Sequence, residues 1–166
     1  MMSVRLRLAG VLAHWWLKER QLPPQPESRL AMRCWWTDCD INRHMNNSRY
    51  LAIMDVGRWH YILATGMAGG LKARGWFPVA VRVEIDYKQS IHPGERFELE
   101  TDCEKVGTKS ATLRQRFWLD GGVLAAEAKV IVLFLHKGKS QELAPLMADY
   151  PLAAPKPEPV LESAAP

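Results

Sequence analysis

The chain has 166 residues, the size of a single domain, and 48% hydrophobic against 24% charged residues, a balance that excludes disorder over most of its length. Lys and Arg exceed Asp and Glu by 22 to 18, a net charge of +4. That excess suits an anionic ligand or an anionic membrane surface, but the basic residues alternate with acidic ones and form no stripe of the kind nucleic-acid binding requires.

Residues 1–20 are expected to form an apolar, amphipathic helix, with Val4, Leu8, Val11, Leu12 and Trp15 on one face. The segment holds four basic residues and one acidic residue, and so carries +3 of the +4. Trp15, Trp16 and the following Lys-Glu-Arg make a poor signal-cleavage site. Two readings stand for it: an interfacial helix making peripheral membrane contact, or a helix packed on its own domain or a partner subunit. No apolar run approaches the roughly 20 residues that cross a bilayer. Residues 21–28, with Pro23, Pro24 and Pro26, read as a linker.

The domain is expected over 29–148, opening with a strand at Arg29–Trp36. From Asn47 to Thr65 a proline-free stretch is apolar around most of its circumference, which predicts a buried helix about 28 Å long. Gly57 in its middle costs about 1 kcal/mol relative to Ala, which is tolerable where another element must approach closely. Val79, Val81, Val83, Ile85 and Tyr87 then alternate with polar residues as a strand. Further strands follow at Arg96–Lys105 and Ser110–Leu119, and a last one ends at His136, apolar on both faces from Val130 to Leu135 and hence interior. Residues 149–166 are Pro/Ala-rich and read as a disordered tail.

Strand, long helix, then four strands joined by short turns define an α+β class: a curved antiparallel sheet wrapped around one central helix, plus the N-terminal helix. Apolar surface left on the edge of such a sheet makes a homodimer or higher oligomer the expectation. Cys34, Cys39 and Cys103 are odd in number and lack paired spacing, which argues for a reducing, cytoplasmic setting and against a disulfide framework.

Chemistry concentrates in Trp36–Tyr50, between the first strand and the helix. Asp38, Asp40, Asn42, His44, Asn46 and Asn47 gather where the unpaired N–H groups of a helix start can polarise a carbonyl or hold an anion. Each has a plainer alternative: Asn46 or Asn47 as a helix cap, Asp38 and Asp40 as solvated charges, His44 as an ordinary loop histidine. Metal ligation by Asp38, Cys39, Asp40 and His44 is disfavoured by the absence of His-pair or thiolate-pair spacing.

The pattern Asp40-x-Asn42-x-His44-x-Asn46-Asn47-x-x-Tyr50 resembles the active-site signature of hotdog-fold acyl thioesterases, namely the plant acyl-carrier-protein thioesterases and the 4-hydroxybenzoyl-CoA thioesterase group, in particular the subset reading His-Met-Asn-Asn-x-x-Tyr-Leu. The similarity runs from Arg29 to Lys137 and includes Asp55-x-x-Arg58, Asp86-Tyr87-Lys88 and Gly107-Thr108-Lys109-Ser110. It implies a hotdog fold and hydrolysis of an acyl-CoA or acyl-carrier-protein thioester without a cofactor. Asp40 matches the catalytic aspartate, acting as general base or nucleophile, the Asn47 N–H matches the group that polarises the thioester carbonyl, and Asn42 and His44 match residues that orient the aspartate or water. The acyl-carrier-protein branch carries a further Cys or Glu on a later strand; Gln89-Ser90-Ile91 here has neither, so that branch's whole triad is not carried over.

Substrate contacts are expected from Asn46, Tyr50, Met54, Lys109 and Ser110, with Tyr61 beside the acyl group. Lys105, Lys109, Arg114, Arg116 and Lys137 are the cations available to the nucleotide end of CoA. Two alternatives remain, a hotdog-fold (R)-specific enoyl-CoA hydratase and a non-catalytic acyl-thioester binder. Against the hydratase, Cys39 and Arg43 stand at its motif's Gly and Pro, and His44 is one residue nearer.

Overall fold

The computed structural model describes residues 4–19 and 21–150. The expected tail lies, from residue 151 onward, outside the described residues. α1 (Val4–His14) continues as a π-helical turn at Trp15–Glu19, and β1 (Glu27–Arg33) starts two residues inside the expected linker. α2 (Asn47–Ala64) follows, then α3 (Met67–Arg74), β2 (Phe77–Tyr87), β3 (Arg96–Val106), β4 (Ser110–Leu119), β5 (Val123–His136), β6 (Lys139–Ser140) and α4 (Ala144–Asp149). All strand pairs are antiparallel, in the order β1-β3-β4-β5-β2, with the two-residue β6 beside β5.

The core lies between α2 and the concave face of the sheet. Ile53, Met54 and Tyr61 of α2 meet Leu99, Leu113, Phe117, Val130 and Val132 of the strands. A Cβ on Gly57 would come within 2.4 Å of Leu99 Cδ2 and 3.0 Å of Gln115 Nε2, so the helix settles on the sheet at the depth that only glycine permits. Beside it, buried Gln115 donates to the Met54 carbonyl at 3.0 Å and to Thr101 Oγ1 at 3.1 Å, and accepts from Arg58 at 3.1 Å. β5 is flanked by strands on both sides, as its two-faced apolar run predicts.

β2 departs from the expected strict alternation. A bulge at Val81 shifts the register, so Pro78, Ala80, Val83, Ile85 and Tyr87 oppose the inward-facing residues of β5, and Val81 leaves the series. As the outer strand of the sheet it leaves Phe77, Val81, Val83 and Tyr87 exposed.

On the sheet's convex face, charges pair across strands. Arg29 meets Glu98 and Glu100 at 2.8 Å each, and Arg114 and Arg116 each meet Asp102 at 3.2 Å. Arg116 also pairs with Glu100. Arg114 and Arg116, offered above as cations for a nucleotide, are therefore committed to the sheet, while Lys105, Lys109 and Lys137 are exposed.

α1 docks on its own domain. Val11 packs against Leu30 of β1 and Val56 of α2, with Leu8 and Met32 alongside. At its far end Glu19 meets His60 at 3.0 Å and His14 at 3.2 Å. Of the expected apolar face, Val11 is buried, Leu8 and Trp15 are half-buried and Leu12 is exposed; the side chain of Val4 lies outside the described residues. Among the described residues no helix is long and apolar enough to cross a membrane.

Candidate active site

After β1 the chain is pinned to the β2–β3 turn: the Cys34 N–H donates to the Glu95 carbonyl at 2.9 Å, and the Gly94 N–H donates to Cys34 at 2.8 Å. A single 3₁₀ turn, Trp36–Asp38, buries Asp38, whose carboxylate accepts from the Trp35 N–H at 2.9 Å and pairs with Arg7 of α1. The plainer alternative of a solvated charge therefore does not hold for Asp38; a buried carboxylate persists only with a cation and hydrogen bonds around it.

The loop then closes on itself. Cys39 bridges to Met45, the Asp40 N–H donates to the His44 carbonyl at 3.1 Å, and the Arg43 N–H donates back to Asp40 at 3.1 Å. Arg43 takes a left-handed conformation at φ 59°, which this tight turn requires of it. Asp40 Oδ1 accepts from the Asn42 N–H at 2.8 Å, an Asx-type turn that fixes a half-buried carboxylate at the loop's mouth. His92 Nδ1 meets the Arg43 carbonyl at 3.1 Å and braces the turn from outside.

The Asn46 N–H donates to the Asp38 carbonyl at 2.9 Å, and its side-chain oxygen accepts from the Ser48 N–H at 2.9 Å and Ser48 Oγ at 2.6 Å. Asn46 is thus the N-cap of α2, its oxygen committed to the helix. Asn47 opens the helix, exposed, with a first-turn N–H that has no carbonyl four residues back within α2. His44 is half-buried, with Nδ1 3.3 Å from the Met45 carbonyl, and the Asn42 side chain is exposed. Asp40, Asn42, His44, Asn46 and Asn47 are thus gathered in one short loop and helix start.

Other expected site residues lie elsewhere. Tyr50 is buried beneath the loop, edge-on to Tyr87 at 5.0 Å and Phe117 at 4.9 Å. Burial, reinforced by Cys34 and Tyr87, pushes its phenol up to about 12, so it stays neutral and supplies no base. Met54 is fully buried in the core. Lys109 and Ser110 sit at the β3–β4 turn, where Ser110 pairs with Leu133 and Leu133 with Val79. The Asn47 end of the helix meets the opposite end of the sheet, by Tyr87 and Phe117, about 23 Å away along β4. Within one chain, then, the structure separates Lys109 and Ser110 from Asp40.

A cavity of about 280 Å³ occupies that same distant end. Trp59, Tyr61, Phe77, Ala80, Leu113 and Phe134 line it together with Asp55 and Arg58, which pair at 3.0 Å. Asp55 lies about 12 Å along α2 from Asn47, eight residues at 1.5 Å each. Tyr61 lines this cavity, whereas Tyr50 and Met54 do not. Among the described residues no group of His, Cys, Asp and Glu is arranged to hold a metal ion.

Two features were not read from the sequence. Gln115 was legible as a polar residue at an inward position of β4, between Leu113 and Phe117. Arg7 carried no such signal, since its partner lies 31 residues away.

A long helix held in a curled antiparallel sheet, with an acidic loop feeding the helix N-terminus, is the hotdog fold in its thioesterase form. A family model described as the thioesterase-like superfamily matches residues 34–163, and the chain belongs to that family. Among curated proteins it is similar to Protein THEM6 of Danio rerio, 36% identical over 80 residues, covering 48% of this chain and 40% of that one. Protein THEM6 of Drosophila melanogaster is 27% identical over 127 residues, covering 75% of this chain and 64% of that one. The chain thus spans only part of the length of these relatives.

Among solved structures, the probable thioesterase YbaW of Escherichia coli superposes with a TM-score of 0.70 at 20% identity, over 75% of this chain and 96% of that one. The DHNA-CoA thioesterase of Staphylococcus aureus gives 0.67 at 18%, over 75% and 85%. At such identities the likeness is one of fold.

Proposed function

We propose that the protein is an acyl-CoA thioesterase that hydrolyses a thioester to a free acid and a thiol. The observation that supports this most directly is the closed loop that holds Asp40 in an Asx-type turn a few residues before the Asn46 cap and the Asn47 start of α2. A thioester carbonyl seated on that helix start gains negative charge during attack, and a preorganised N–H there is worth about 3–4 kcal/mol. Asp40 activates water as general base or attacks the carbonyl itself, and Asn42 and His44 orient it. CoA is favoured as the carrier because a fold neighbour, SAV2348 of Staphylococcus aureus, is described in complex with CoA.

The site is completed by a second copy of the chain. β2 runs antiparallel to α2, with Tyr87 beside Asn47 and Phe77 beside Trp59, and its outer edge is apolar and exposed. Antiparallel pairing of two β2 edges about Arg82 sets the Phe77 end of one copy against the Tyr87 end of the other. Each cavity, with its Lys109–Ser110 turn, then faces the other copy's Asp40 loop. This arrangement joins the halves of the site that one chain keeps about 23 Å apart.

The test is a panel of acyl-CoAs from short to long chain plus one aromatic, assayed with a thiol reagent. Thiol release above the uncatalysed rate is expected with at least one class. Loss of enoyl absorbance without thiol would instead mark a hydratase, and binding without turnover would mark a binding module.

The docked arm also leaves Leu6, Trp16 and Leu17 between 56% and 68% exposed. Peripheral membrane contact through this face predicts that the full chain sediments with anionic lipid vesicles. A Trp16→Glu/Leu17→Glu variant should weaken that partitioning about tenfold or more. A full chain that never sediments with vesicles would remove the membrane reading.

A further inference from the structure

We infer that the N-terminal arm is part of the catalytic apparatus and that Arg7 is a positioning residue, acting on Asp40 and Asn47 through Asp38. The inference rests on the thioesterase reading above. Arg7 reaches Asp38 with only 6% of its side chain exposed, and Asp38 is 2% exposed. Asp38 is a junction. The same carboxylate oxygen that meets Arg7 accepts from the Trp35 N–H, its own N–H donates to the Trp35 carbonyl at 2.8 Å, and its carbonyl accepts from the Asn46 N–H.

One residue therefore ties the start of the catalytic loop, the N-cap of α2 and the arm together, two positions before Asp40. Its carboxylate is out of water, so its placement depends on the guanidinium that neutralises it. Arg7 in turn is held in place by its helix. Val11 anchors the middle of the arm against Leu30 and Val56, and Glu19 latches the far end to His60. Without Arg7 the carboxylate must turn toward solvent, drawing the Asn46 contact and the Asp40 turn with it. A shift of about 1 Å between a reacting group and its partner costs on the order of 100-fold in rate.

The experiment compares the full chain with Arg7→Lys, Arg7→Gln and the double variant Arg7→Gln/Asp38→Asn. It reads kcat and KM for thiol release together with amide hydrogen exchange. Arg7→Gln is expected to lower kcat about 10- to 100-fold with KM within a factor of two, and to speed exchange at 38–47 while the β3–β5 amides keep their protection. Arg7→Lys, which keeps the charge but loses the planar fork, should fall between Arg7→Gln and the parent. The double variant removes the unpaired buried charge and should recover kcat about tenfold over Arg7→Gln.

An unchanged kcat, exchange that rises evenly over the sheet, or a double variant no better than the single one would each overturn the assignment. Should the parent chain release no thiol from any substrate, the functional reading fails. The exchange pattern at 38–47 then still decides whether Arg7 orders the loop.

Discussion

Replacing Asp40 with Asn is expected to lower kcat for thiol release by about 10²- to 10⁴-fold, the range for loss of a general base or nucleophile, with the fold intact. Asn matches Asp in size, and its side-chain oxygen can still accept the Asn42 N–H that the aspartate holds at 2.8 Å. The turn survives, and what is lost is the charge that takes a proton from water or attacks the carbonyl. An unchanged melting temperature beside a collapsed kcat is the expected signature. An Asp40→Asn protein as fast as its parent would sink the assignment and move attention to His44, half-buried in the same turn.

The second large effect is expected from the edge of the sheet. Val81 and Val83 are 54% and 38% exposed on a strand that has, among the described residues, no neighbour on its outer side. In a pairing centred on Arg82, Val81 of one copy lies opposite Val83 of the other. A Val81→Glu/Val83→Glu variant sets like charges directly across that seam, an arrangement that destabilises a strand pair. The parent is expected to elute as a dimer or larger assembly and the variant as a monomer, with thiol release reduced at least 100-fold because each half-site has lost its complement. Val81 stands outside the inward series and Val83, opposite Val130, is 38% exposed at the strand's edge, so circular dichroism is the check that the monomer remains folded. A monomeric variant with full activity would mean that one chain holds a complete site.

These expectations grew from features of unequal legibility. α2 was visible because an apolar circumference over eighteen residues has no stable place except inside a sheet. β3 and β4 were visible because period-two alternation is a local property of the chain, and β5 because its run from Val130 to Leu135 is apolar on both faces. The bulge at Val81 was not, since the residues around it alternate without a break and the extra residue is dictated by the partner strand. α3 and α4, at eight and six residues, are too short for their periodicity to stand out from the adjoining turns.

The loop divided in the same way. Its residue types marked the chemistry, and the Asn46 cap follows from local preference. The Arg7–Asp38 contact joins residues 31 apart in sequence and is settled only when α1 packs. Lys109 and Ser110 were placed with Asp40 on the strength of a motif, whereas the sheet keeps them at opposite ends within one chain. In the proposed dimer they meet across copies, and a motif carries no label for the copy that supplies each residue.

Gly57 and Gln115 have a mechanical consequence. The helix rests on Leu99 with no methyl between them, and an amide from the sheet grips the Met54 carbonyl one turn earlier. Pinned at mid-length, α2 behaves as a fixed axle, free neither to slide along its axis nor to lift from its bed without breaking that grip. In the proposed dimeric thioesterase, widening of the entrance for a bulky acyl group would therefore fall to the 38–46 turn and to the seam between copies. Tolerance for large substrates should accordingly be tuned by substitutions there, and hardly at all by changes along the helix.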